Sequence, residues 1–82
     1  MTLLQRIAET TKLWELMLPR IPAPEPSWIG RWCSHPDTVV EHGIIRAAKK
    51  FGDLNASASE AAWRYASGVM NAEDKRIAVR EV

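Results

Sequence analysis

Eighty-two residues make one domain at most, and a chain this short hides only about 60–65% of the surface its unfolded form exposes. Eleven Lys and Arg nearly balance ten Asp and Glu, for a formal net charge of +1. This excludes the diffuse positive field of a protein that coats nucleic acid indiscriminately, so any basic footprint is local.

Residues 2 to 18 read as an amphipathic helix. Leu3, Leu4, Ile7, Thr11, Trp14 and Leu18 recur at steps of three and four, and Leu13, Leu16 and Met17 widen the apolar stripe. Arg6, Glu9 and Lys12 interrupt the apolar residues early, so neither a signal peptide nor a membrane-spanning helix is read, and the expected location is cytoplasmic with no membrane partner. PRIPAPEP, residues 19 to 26, then ends the helix. Its prolines remove amide donors and push each preceding residue out of the α region, which makes the segment a stiff spacer.

Ser27 is the expected N-cap of a short helix through Trp28, Ile29, Arg31, Trp32 and Cys33, ended by His35-Pro36. Ser34 or Asp37 is expected to cap a stronger helix, DTVVEHGIIRAAKKF, with Pro36 near its start. Its buried stripe is Val39, Val40, Gly43, Ile44, Ala47, Ala48 and Phe51, and Gly52 stops it. Glycine at position 43 costs about 1 kcal/mol against alanine, so another backbone or a large ring such as Trp28 is expected close by. A polar loop, DLNASAS, leads into a last helix through a Ser57-x-x-Glu60 capping box. Gly68 to Asn71 mark an expected break before a charged tail that either frays or extends the helix. Alternating strand patterns and internal repeats are absent. The expectation is a single all-α domain, a small bundle of about four helices. It divides into a first helix (1–18), a proline-rich spacer (19–26), a helical core (27–71) and a charged tail or extension (72–82).

PSWIGRWCSHPD, residues 26 to 37, concentrates two tryptophans, the lone cysteine and a histidine. Cys33, His35 and His42 supply three soft ligands where structural zinc takes four in two close pairs, so no metal and no cofactor is expected. Cys33 with His35 or His42 and Asp37 or Glu41 names the parts of a thiol nucleophile site, but so short a domain has little room for a cleft and an oxyanion hole. The protein is therefore read as non-enzymatic. The indoles are read as core: Trp28 and Trp32 lie four apart on one face, and one of them is expected against Val40, Ile44 and Ala47.

His42, Arg46, Lys49 and Lys50 recur one turn apart and are read as lying opposite the buried stripe. Arg31 precedes them, and Arg64 sits beside Tyr65. Cations beside an aromatic ring suit single-stranded nucleic acid, where the cations track phosphates and rings stack on bases at about 1–3 kcal/mol each. A helix end enriched in lysine to complement the helix dipole explains part of the same pattern.

Trp28-Ile29-Gly30-Arg31-Trp32, then Val39 to Gly52, then Tyr65-Ala66-Ser67-Gly68-Val69-Met70 together resemble the C-terminal module of DnaD-like primosomal and phage replication proteins, whose middle helix has the form VVxxAIxxAxxxG. The resemblance covers residues 28 to 71, about half the chain. It implies a helical module in which the Tyr-x-x-x-aliphatic helix helps to bind DNA. That helix usually carries a tryptophan four residues further on, where this chain has Glu73.

Three readings follow. The first is a DNA-binding accessory of a replication or regulatory protein from a phage or mobile element, contacting DNA through Arg31, His42, Arg46, Lys49, Lys50, Arg64 and Tyr65. The second is a small phage or mobile-element protein that binds and inhibits a host protein, as anti-CRISPR proteins do, through tryptophan hot spots and the basic edge. The third is a helical scaffold that forms a homodimer through its first helix.

Overall fold

The computed structural model describes the backbone of residues 2–80 and the side chains of residues 2–76; the side chains of Ile77, Val79 and Arg80 lie outside the described residues. Four α-helices follow one another: α1 Leu3–Met17, α2 Pro26–Trp32, α3 Asp37–Phe51 and α4 Ser59–Arg80, with a 3₁₀ turn at Ala56–Ala58 before the last. The described residues contain no strand, so the all-α expectation is met. The chief packing seam runs between α3 and α4, and α1 lies against α2 and α3.

The helix starts differ from the sequence expectations, each for a local reason. Thr2 stands outside α1 and caps it. Its hydroxyl accepts from the Gln5 amide (3.2 Å), and the Gln5 side chain accepts from the Thr2 amide (2.8 Å), so both orphan donors are satisfied. In α2 the cap is Glu25, not Ser27. Pro26 occupies the first helical position, where its missing N–H costs nothing. Neither Ser34 nor Asp37 caps α3. Pro36 holds the cap position, its carbonyl accepts from Val39 and Val40, and the Asp37 carboxylate instead accepts from Arg6 at 2.7 Å. Ser57 does not cap α4 either; Asn55 Oδ1 accepts the Ser57 amide and hydroxyl and winds the 3₁₀ turn. Past Gly68 the helix runs on unbroken to Arg80, which settles the tail as an extension over its described backbone.

Fully buried Trp14, Leu18, Ile29 and Ile44 centre the core, joined by Ile21, Trp32, Val39, Val40, Ala47, Ala62, Ala66 and Met70. Trp32 is thus the indole that shares a core with Val40, Ile44 and Ala47, while Trp28 is half-buried and meets Trp63 edge-on, with centroids 5.6 Å apart. Three residues expected in the stripe of α1 face solvent instead: Leu3, Leu4 and Leu16. Leu3 and Leu4 sit at the helix end, and Leu16 points away from the line through Ile7, Trp14 and Leu18.

Every indole N–H has a partner, and this explains the proline-rich spacer. With few amide donors of its own, the spacer has carbonyls to give: Trp14 donates to Ile21 (3.0 Å) and Trp63 to Pro22 (3.0 Å), so the segment is stitched to both α1 and α4. The other two indoles, Trp32 (2.8 Å) and Trp28 (3.3 Å), donate to one hydroxyl, that of Ser67, which itself donates to the Trp63 carbonyl at 2.9 Å. Ser67→Ala strands the buried Trp32 N–H and is expected to cost about 1–3 kcal/mol, read as a lower urea midpoint. Ser57→Ala, at an exposed site, serves as the control and should barely move it.

Gly43 is buried because α4 comes close. A Cβ placed there would lie 2.6 Å from Met70 Cγ and 3.1 Å from the Ala66 carbonyl oxygen. The neighbour is the α4 backbone and Met70, and not the ring of Trp28.

Candidate nucleic-acid interface

The cations of α3 run from its outer face, where Lys49 stands, to the edge where α3 meets α4. With about 100° per residue, Lys50 and Arg46 fall on the flank next to Gly43, while His42 and Lys49, about 20° apart on the wheel, turn further outward. Two contacts fix the register of the antiparallel pair. His42 Nδ1 lies 3.7 Å from Glu73 Oε2, and the Lys50 ammonium sits 4.6 Å from the centre of the Tyr65 ring. Arg46, midway between them, therefore stands across from half-buried Val69.

At one end of this edge Lys50 covers Tyr65, whose ring meets Phe51 edge-on with centroids 5.6 Å apart. An exposed cation over a ring contributes only about 0.5–1 kcal/mol, so the ammonium is readily exchanged for another partner. In the middle, Arg46 and Lys49 are exposed and make no ion pair among the described residues. At the far end Glu73 lies between His42 and Arg76, 3.7 Å from the first and 3.8 Å from the second. The edge thus carries Arg46, Lys49, Lys50 and Arg76 against one carboxylate along about 12 Å of helix from His42 to Lys50.

The seven sequence-predicted residues separate into two groups. His42, Arg46, Lys49, Lys50 and Tyr65 come together. Arg64, one residue from Tyr65, is turned about 100° round α4 toward the side where Trp63 and Ser67 meet α2, and it pairs with Glu60 at 2.6 Å. Arg31 lies on α2 with its guanidinium 5.3 Å from the centre of the Trp28 ring. Sequence reading passed over Arg76, which its spacing from Tyr65, Val69 and Glu73 on one face of α4 identifies.

The polar residues of the opening cluster are engaged in joining helices. Arg6 of α1 donates to the carbonyls of Cys33 (2.5 Å) and His35 (3.1 Å) and to Asp37 (2.7 Å), covering the free end of α2. His35 Nδ1 lies 2.5 Å from Asp74 Oδ2, which ties the same turn to α4. Cys33 is buried and unpaired. His35 and His42 meet different carboxylates, Asp74 and Glu73, and among the described residues no three His, Cys, Asp or Glu side chains form a metal-binding group. No helix among the described residues is long and apolar enough to cross a membrane.

Comparison with protein-family models, with curated protein sequences and with solved structures returns no match.

Proposed function

We propose that the protein is a non-enzymatic DNA-binding accessory module that engages single-stranded DNA along the α3–α4 edge, in the service of replication or regulation in a phage or mobile element. The observation that carries this reading is the pair Arg46 and Lys49, exposed and without a carboxylate partner among the described residues, on the same edge as the half-buried ring of Tyr65, which Lys50 covers and Phe51 meets edge-on. Phosphates would follow the cations, and a base would replace the Lys50 ammonium on Tyr65. The resemblance to DnaD-like modules supports the same edge, because the Tyr65-x-x-x-Val69 face lines it. The indoles are spent on internal hydrogen bonds and leave the cations as the feature this surface offers.

The test is fluorescence anisotropy with labelled single- and double-stranded oligonucleotides across a salt series. Arg46→Ala with Lys49→Ala removes two phosphate contacts, and the slope of log K against log salt is expected to fall by about 1.4 on single strands. Circular dichroism of this variant should match the wild type, since neither side chain holds the fold. Glu73→Gln removes the carboxylate from the edge and should strengthen binding. No binding by the wild-type protein at low salt overturns the reading and leaves a protein partner in its place.

A further inference from the structure

We propose that the cavity between α2 and α4 is a binding site for a small aromatic carboxylate. The cavity holds about 320 Å³; Trp28, Arg31 and Trp32 line it from α2, and Ser67 and Asn71 line it from α4. Ser34 and His35, in the turn after α2, complete the wall. Sites for small molecules begin at about 300 Å³, so this one suits a body of one or two rings and excludes a dinucleotide.

The hydrogen bonds within the protein decide what the walls have left to give. Both indole N–H groups of α2 donate to the Ser67 hydroxyl, and that hydroxyl donates to the Trp63 carbonyl, so the rings have only carbon to offer and Ser67 has no donor left. The Ser34 hydroxyl donates to the Arg31 carbonyl at 2.8 Å, and Nδ1 of His35 is bound to Asp74, so His35 offers the cavity at most Nε2. Two side chains keep free N–H donors. The Arg31 guanidinium is exposed and makes no ion pair among the described residues, and the exposed Asn71 amide makes no hydrogen bond among them. A guanidinium beside an amide calls for an acceptor with negative charge, and the arginine fork matches the two oxygens of a carboxylate. One unpaired cation balances one negative charge, which favours a carboxylate over a phosphate monoester carrying about two. The guanidinium also sits 5.3 Å from the centre of the Trp28 ring, so an anion bound to it is brought beside an aromatic wall. A ligand that satisfies both joins a carboxylate to a flat ring. Ser67 and Asn71 stand about 200° round α4 from Tyr65 and Val69, so this site is separate from the cationic edge and does not depend on DNA.

A proton–nitrogen NMR titration tests this with probes that share one indole ring: indole-3-acetate, neutral indole-3-acetamide and cationic tryptamine. Indole-3-acetate is expected to shift the side-chain N–H signals of Trp28, Trp32 and Asn71 with a Kd of about 1 mM, the affinity a ligand of its size reaches at ordinary efficiency per atom. The amide and the amine should bind at least about tenfold more weakly. Arg31→Ala should weaken the acetate at least about tenfold and bring it level with the amide, and Arg31→Lys should recover only part of the loss. Circular dichroism checks that both variants keep their helices. No shift up to about 10 mM acetate, equal binding by the amide or by tryptamine, undiminished binding by Arg31→Ala, or shifts gathered at Arg46 and Lys49 in place of this cavity would each overturn the proposal.

Discussion

Trp14→Ala is expected to lower stability by about 3–5 kcal/mol, the range for removing a buried indole from a core. Trp14 is fully buried, lies against Trp32 with ring centroids 5.7 Å apart, and its N–H holds the Ile21 carbonyl of the spacer. The loss therefore includes a cavity, an aromatic contact and the hydrogen bond that docks the proline-rich segment. A domain of this length has roughly 4–12 kcal/mol in total, so this one change removes much of it. Urea unfolding followed by circular dichroism reads the effect. Trp63→Ala, at a half-buried ring bonded to Pro22, gives the comparison and should cost less. Equal midpoints for the two variants would show that the spacer and the Trp14 site are not the centre of the core.

Gly43→Val is expected to be of similar severity, by the opposite route. A Cβ at this position falls 2.6 and 2.9 Å from Met70 Cγ and Cε and 3.1 Å from the Ala66 carbonyl oxygen. The methionine can bend away, whereas the carbonyl belongs to the α4 backbone. Overfilling a packed core costs about 1–3 kcal/mol, more than the roughly 1 kcal/mol that alanine gains in helix propensity, and the branched valine drives the helices further apart. Gly43→Ala is therefore expected to destabilise the protein mildly and Gly43→Val strongly. Met70→Ala opens space beside position 43, so the pair Gly43→Ala with Met70→Ala should lose less than the two single changes together, by about 0.5–3 kcal/mol. Additive losses in a denaturation cycle would place the cost elsewhere.

Sequence periodicity alone determined the helix count, the all-α class and most of the buried stripe of α3, because a row of Val39, Val40, Gly43, Ile44 and Ala47 has few other ways to leave water; Ala48 and Phe51, expected in the same stripe, are only half-buried at its margin. It also marked the lysine-rich end of α3 and the stop at Gly52. Capping was less legible. Ser27, Asp37 and Ser57 all have the chemistry of caps, but proline at the first helical position, a competing arginine and a neighbouring asparagine displaced them, and each of those competitors acts within or between segments that a linear pattern treats one at a time.

Only the tertiary structure decided what the four indoles do and which way the cations face. Whether Trp28 and Trp32 need a partner was visible in their chemistry; that one hydroxyl, Ser67, serves both depends on α2 meeting α4, thirty-five and more residues away in sequence. The direction of His42 and Lys50 likewise depends on the antiparallel register of α4 against α3, set by the close approach at Gly43. A helix's periodicity states which side is apolar, but the neighbour that covers it decides which of the remaining flanks becomes a seam and which stays in water.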